Sequence, residues 1–185
     1  MRIIAGVAKG RRLVTLRTLA LRPTPARVRE TLFNILGNRI GDARVADFFA
    51  GTGATGLEAL SRGAGTVLFV EVHAPACRVI AKNLHACGLT ERARVWQVDV
   101  LKALPLLKAA GETFDLVFLD PPYQTPLVED TLEQLGDGLL ITPQGRVVAE
   151  HFFKRTLQEQ YGRLSRVRIA RSGDVALSFY HAVGR

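Results

Sequence analysis

Sulfur and tryptophan are scarce in this chain: 185 residues carry two cysteines, one methionine and one tryptophan. Cys77 and Cys87 stand ten apart on what reads as one helix, about 15 Å along its axis, so they cannot form a disulfide with each other. No Cys/His spacing fits a zinc site, and the His73/Cys77 pair alone does not make one, so no metal is expected. Free thiols fit a reducing, cytoplasmic compartment. No apolar run approaches the ~18 residues of a membrane span. The opening Met1-Arg2-Ile3-Ile4-Ala5-Gly6 meets Lys9 before an apolar core can build, which argues against a secretory signal. Serine is missing before Ser61, which argues against a serine-rich transit peptide in spite of a basic start.

Acidic residues are the other shortage, and it is local. Residues 1–29 contain eight Lys or Arg and no Asp or Glu. Residues 1–44 hold ten basic and two acidic side chains, whereas residues 45–185 hold fifteen of each, so the net charge of +8 lies wholly in the first part. Such an arm suits a polyanion, and Arg11, Arg12, Arg22 and Arg27 are its candidate phosphate contacts. A second basic stretch, Lys154 to Arg171, extends the same surface. The composition break predicts a basic extension over 1–43, a hairpin plus a helix, packed on a catalytic domain over 44–185. The length suits one domain with a full core, and a monomer is expected.

The extension reads as strands at Arg2–Ala5 and Arg12–Leu16 around a Gly6–Gly10 turn. Thr24-Pro25 then starts a helix, with Val28, Leu32, Ile35 and Leu36 as its apolar face and Arg27 and Arg29 projecting elsewhere. From Arg44 strands and helices alternate. Strands are predicted at Arg44–Phe49, Thr66–Glu71, Arg94–Val98, Phe114–Leu119 and Gly145–His151. Helices are predicted at Ala54–Arg62, Pro75–Cys87, Leu101–Ala109 and Val128–Leu135. Arg163–Ala170 and Val175–Val183 close the chain as an antiparallel hairpin about Ser172-Gly173-Asp174. The pattern is an α/β, doubly wound sheet, in which ligands bind beyond the carboxyl ends of the strands.

Those ends carry the chemistry. Asp47-Phe48-Phe49-Ala50-Gly51-Thr52-Gly53-Ala54-Thr55-Gly56 has the G-x-G-x-x-G spacing, which lets backbone turn tightly against a ligand. Glu71 ends the next strand, where an acid accepts from ribose hydroxyls. These two features fit a nicotinamide dinucleotide as well as S-adenosylmethionine. Asp47 and Asp99 separate the two: Asp47 is placed for the ammonium of a methionine moiety, and Asp99 for an adenine amino group. An acid after each of three strands repels a pyrophosphate. Helix capping is the competing account of both. Phe49 and Val100, beside these acids, are further candidate cofactor contacts.

The fourth strand ends in Asp120-Pro121-Pro122-Tyr123. An exocyclic amine on a base is planar and conjugated, hence a poor nucleophile. To attack a methyl group in line it needs acceptors on its hydrogens. The Asp120 carboxylate and a proline carbonyl, held rigid because proline fixes φ, supply two acceptors. Tyr123 stacks on the base. Beside this turn His151 can line a base pocket or simply end a strand.

Asp/Asn-Pro-Pro-Tyr/Phe resembles the signature of amino-methyltransferases of nucleic-acid bases. More narrowly, Met1–Gly6, Leu21-Arg22-Pro23-Thr24, the segment Arg27–Asn34 and the segment Gly56–Gly63 resemble the bacterial RsmD family, which are 16S ribosomal RNA guanine-N2 methyltransferases. The likeness runs over nearly the whole chain. It implies a Rossmann-like class I S-adenosylmethionine-dependent methyltransferase with a seven-stranded sheet, S-adenosylhomocysteine as product, and 16S ribosomal RNA in an assembling small-subunit particle as partner. Thr24 resembles a Thr-Pro element near the methionine carboxylate, so it is a further cofactor candidate. Pro25-Ala26, Tyr123 and Thr52 depart from the usual Thr-Asp, Phe and Ser of the family while keeping a helix start, a ring and a small loop residue. A DNA or other RNA amino-methyltransferase acting on adenine N6 or cytosine N4 is the neighbouring reading, although 185 residues leave little room to read a duplex. An NAD-linked oxidoreductase rests on the glycine loop and Glu71 alone.

Overall fold

Residues that are apolar on both faces can be satisfied only between two layers, and this requirement organises the domain. The computed structural model describes residues 1–16 and 26–183. After α1 (Ala26–Leu36) and a 3-10 turn, the chain forms β1 (Arg44–Phe48), α2 (Ala54–Ser61), β2 (Thr66–Glu71), α3 (Ala74–Cys87), β3 (Ala93–Gln97), α4 (Val100–Ala109), β4 (Phe114–Leu119), α5 (Leu127–Leu135) and β5 (Ile141–Phe152). Three antiparallel strands follow: β6 (Gln160–Tyr161), β7 (Leu164–Ser172) and β8 (Val175–Ala182).

All lie in one sheet in the order β3-β2-β1-β4-β5-β8-β7-β6, the first five parallel. Seven long strands match the expected Rossmann-like sheet, and the two-residue β6 adds a short eighth at the edge. Its brevity hid it, since two residues have no readable alternation. The order reverses between β1 and β4, which creates the crevice that α/β sheets use for ligands.

One face carries α1, α2, α3 and the start of the chain on Val45, Val67, Phe69, Leu116, Phe118 and Val148. The other carries α4 and α5 on Phe48, Val70, Val117, Leu119 and Val147. Leu57 and Leu104, one on each face, are wholly buried, and truncating either to Ala costs about 2–5 kcal/mol.

The first residues pair as expected but do not form two strands. A single antiparallel bridge joins Arg2 to Arg12, flanked by Gly10 N–H to Ile3 O at 2.9 Å and Leu13 N–H to Met1 O at 3.0 Å. Backbone is diverted because α2 takes it instead: Glu58, fully buried, accepts from the amides of Ile4 and Ala5 at 2.8 and 3.0 Å. Ser61 receives the Val7 and Ala8 amides through its carbonyl and hydroxyl. Since α2 leaves the carboxyl end of β1, its last turn lies at the other end of the sheet, and so does the Gly6–Gly10 turn. The chain then climbs to Val14, whose amide donates to Asn83 Oδ1 at 2.8 Å.

Arg29 corrects the reading of α1. It does not project away from the core but is fully buried, donating to Met1 Sδ and to the Arg2 carbonyl, while Arg27 is exposed. Burial lowers its guanidinium pKa and the Glu58 charge opposes that shift. A 3.6-residue pattern counts any charge as outward; here a charged residue sits in the apolar stripe because the first residues cover it.

Candidate active site

The chain reverses after Phe48 through Phe49 at φ +61, Gly51 at φ +54 and Gly53 at φ +79. Phe49 is the unexpected member, since a bulky residue at positive φ is strained, and strain of that kind collects at ligand loops. A Cβ on Gly51 would meet no atom within 4 Å, so its outer side is open to a ligand. Gly56 serves differently: a Cβ there would collide with the Phe69 ring and come within 2.9 Å of Asp47 Oδ2, so its role is close packing of α2 on β2.

Asp47 is 3% exposed, and its Oδ2 accepts the Gly56 amide at 2.8 Å. Its pKa is raised from 3.8 to about 8, first by burial; the Gly56 amide opposes the shift, and the charges of Asp120 and Glu71 add to it. Carboxylates from the ends of β1, β2 and β4 therefore share one field. A buried acid in that state fits a cationic group, which the ammonium of a methionine moiety is. Glu71 accepts from Gly51 N–H and His73 N–H, both at 2.8 Å, and so ties the glycine loop to β2. A carboxylate retains lone pairs beyond those two for ribose hydroxyls. Asp99 Oδ1 accepts the Lys102 amide at 3.3 Å as the cap of α4, so the capping account holds for it; Val100, buried, begins that helix beside it.

Asp120 follows β4, and its amide donates to Phe48 O at 3.4 Å. Pro121 is buried and Pro122 exposed. The Pro122 carbonyl is taken by Thr125, from its amide at 3.2 Å and its hydroxyl at 2.8 Å, which leaves the Pro121 carbonyl as the proline acceptor of the turn. Tyr123 donates its hydroxyl to the buried Glu150 at 2.6 Å, a bond the usual Phe could not make.

Sequence reading missed three residues here. Arg155 grips the Glu129 carboxylate with Nε at 2.7 Å and Nη2 at 2.6 Å, and its Nη1 donates to the carbonyls of Tyr123 and Thr125 at 2.9 and 2.7 Å. It pins the turn after β4 to α5. Asn83 donates to both Val14 O and Thr52 O, joining the first residues to the glycine loop. Glu150 is the third. Their signals were faint: an arginine within a basic run, an amide inside a helix and an acid inside a strand.

Other expected contacts fall differently. His151 is buried in the sheet, its Nδ1 on the Phe152 carbonyl at 3.0 Å and its Nε2 on Ser178 Oγ at 2.9 Å, so it is a held strand residue with burial lowering its pKa. Arg11, Arg12 and Arg27 are exposed and enter none of the ion pairs among the described residues. Arg22, Thr24 and Pro25 lie outside the described residues. No group of three or more metal-ligating side chains occurs among the described residues. No helix there is long and apolar enough to cross a membrane. A depression of about 400 Å³ lined by Gly6, Phe33, Asn38 and Arg62 lies beside the last turn of α2 and holds none of the acids.

Comparison with known proteins agrees with this geometry. The family model described as "Conserved hypothetical protein 95" matches residues 1–181. The putative rRNA methyltransferase YlbH of Bacillus subtilis is 34% identical over 184 residues, covering 100% of both chains. Ribosomal RNA small subunit methyltransferase D of Escherichia coli is 36% identical, covering 97% of this chain and 89% of the other. The solved structure of putative methyltransferase yhhF from Escherichia coli superposes with a TM-score of 0.86 at 35% identity, covering 100% and 99%.

Proposed function

The chain belongs to the RsmD family, and from that premise we propose that it transfers the methyl group of S-adenosylmethionine to the exocyclic N2 amine of a guanine in 16S ribosomal RNA. Its substrate is the assembling small-subunit particle in the cytoplasm, and it works as a monomer without a metal. Residues 1–43 serve as a basic extension of the catalytic domain, with Arg11, Arg12, Arg22 and Arg27 on RNA phosphates. The observation that carries the reading is the parallel pairing of β1 with β4 where the strand order reverses, with the Asp120 amide on Phe48 O at 3.4 Å. It brings the amine-holding turn beside the acid suited to the methionine end of the cofactor.

Asp47, Phe49, Gly51, Gly53, Glu71, Asp99, Val100 and Thr24 would hold the cofactor, with Asp47 on the ammonium and Glu71 on the ribose. When bound, the cofactor supplies a methyl group activated by a sulfonium. The Asp120 carboxylate and the Pro121 carbonyl accept the two hydrogens of the guanine amine, which turns its nitrogen toward the methyl. The Tyr123 ring stacks on the base, and its bond to Glu150 fixes the ring. As the nitrogen bonds to the methyl carbon, the carbon–sulfur bond would break with its electron pair going to the departing S-adenosylhomocysteine, and Asp120 would take the proton that the amine gives up.

A tritiated-methyl assay on small-subunit RNA and on particles, with nucleoside analysis, tests the acceptor. N2-methylguanosine is the expected product; N6-methyladenosine or N4-methylcytidine would move the assignment to the neighbouring reading. Asp120→Ala is expected to lower methyl transfer at least about a hundredfold while S-adenosylhomocysteine still binds. Full activity in that variant would remove Asp120 from amine positioning.

A further inference from the structure

The Gly6–Gly10 turn stands at the end of the sheet away from the acids, so its Lys9 cannot be what holds the strand that flanks the acceptor. Other cations stand at the reacting end. Beyond β5, Phe153 lies half-buried with its amide on Asp174 O at 2.9 Å. Because Phe152 pairs with Val175 and Ser172 with the same Val175, the end of β7 and the end of β5 lie on one rim. That rim is the carboxyl end of β4 and β5, where Leu119 is level with Ala149.

On this rim the Arg171 guanidinium lies 3.7 Å from the Phe153 ring centroid, and Lys154 Nζ lies 5.8 Å from it. Phe152 braces that ring at 5.1 Å. Arg171 Nε donates to Gly173 O at 2.9 Å, which fixes the guanidinium plane and leaves its terminal nitrogens to project. Lys154 and Arg171 are both exposed. None of the ion pairs among the described residues includes Lys154, Arg168, Arg171 or Asp174. Two cations gathered on a ring, with no acid within ion-pair distance of either among the described residues, form a preorganised anion seat. Arg171 lies three strand spacings from β4, roughly 14 Å across the sheet.

We propose that Arg171, Lys154 and Phe153 form a second RNA-holding site, which takes the phosphates and a stacked base of the single strand flanking the methylated nucleotide. The guanidinium, seated over Phe153, offers its outer side to a base and its projecting nitrogens to a phosphate. The choice of RNA rests on the function proposed above; the seat for a polyanionic strand does not. Arg155, in the same basic run, is committed to Glu129 and the turn after β4, so it is not part of this seat.

The test uses the full chain with Arg171→Ala, Lys154→Ala, Phe153→Leu and Arg171→Lys. Methylation of small-subunit RNA or particles is measured together with binding of a labelled oligouridylate across a salt series. Arg171→Ala and Lys154→Ala are expected to raise KM for RNA about tenfold each with a far smaller change in kcat, and to leave the Kd for S-adenosylhomocysteine as in wild type. Each should lower the slope of log affinity against log salt by about 0.7, the value for one single-strand phosphate. Arg171→Lys should restore the slope and not the full affinity, because an ammonium does not stack as a planar guanidinium does. Phe153→Leu should weaken binding with the slope intact. If Arg171→Ala and Lys154→Ala bind oligouridylate with wild-type affinity and slope, the proposal is overturned. If wild type fails to methylate ribosomal RNA while these variants still lose oligouridylate, the proposed function falls and the seat stands.

Discussion

Cofactor binding should release a proton from Asp47. The carboxyl is 3% exposed, and its pKa of about 8 lies well above the ordinary 3.8 because burial disfavours the ionised form. That displacement amounts to roughly 6 kcal/mol against ionisation in the cofactor-free protein. At pH 7 about nine-tenths of the molecules then carry the proton. An ammonium placed against Asp47 reverses the preference. Near pH 7, S-adenosylhomocysteine should therefore displace about 0.9 proton per molecule bound, and its affinity should rise up to about tenfold per pH unit from 6 toward 8. Near pH 8 the α-amino group of the ligand begins to lose its own proton, so affinity peaks there. The assay is calorimetry in two buffers of different ionisation enthalpy, with Asp47→Asn as control; the amide keeps an oxygen for the Gly56 N–H and has no proton to release. Release below about 0.3 proton at pH 7, or equal release from the variant, would refute the reasoning. Stability gives an independent check. The folded pKa is raised, so this group's contribution is full below 3.8 and is lost as pH rises toward about 8. Asp47→Asn should therefore gain on wild type in melting temperature between pH 5 and pH 8.

Gly56→Ala forces a methyl into the Phe69 ring, which is fully buried. A loss of about 1–3 kcal/mol is expected, read as a melting temperature lower by several degrees, together with weaker binding of S-adenosylhomocysteine; an unchanged melting curve would contradict the packing role. Gly6→Ala places a Cβ on the Ser61 carbonyl at φ +82, so the turn must leave α2. Hydrogen exchange at the Val7 and Ala8 amides should accelerate at least about tenfold, while Phe69 and Val70 in β2 stay protected. Arg155→Ala releases the Tyr123 and Thr125 carbonyls; kcat should fall about tenfold or more with S-adenosylhomocysteine affinity within twofold. Arg155→Lys should recover little of that loss, since Lys has no fork for Glu129. A Kd change matching the kcat change would instead mean general damage to the site.

Much was legible along the chain because it is set locally. Buried parallel strands such as Phe114–Leu119 announce themselves by unbroken apolar character, and Asp120-Pro121-Pro122-Tyr123 by two consecutive prolines with fixed φ. Glycine spacing at Gly51, Gly53 and Gly56, the acid at the end of β2 and the hairpin of β7 and β8 were likewise readable from neighbours alone. What tertiary structure decided is where separate segments meet. Only the fold shows that Pro122 has given its carbonyl to Thr125, that Tyr123 reaches Glu150, and that Arg155 holds the turn. Arg29 is buried because the first residues lie over it, and the Gly6–Gly10 turn is drawn to the far end by Glu58 and Ser61. Apart from the Pro122–Thr125 turn, those outcomes depend on contacts more than twenty residues apart, and a charged side chain reads the same in sequence whether it meets water or a carbonyl. Composition could place the positive charge at the start of the chain; the order of the strands decides which cations share a rim of the sheet with Asp120.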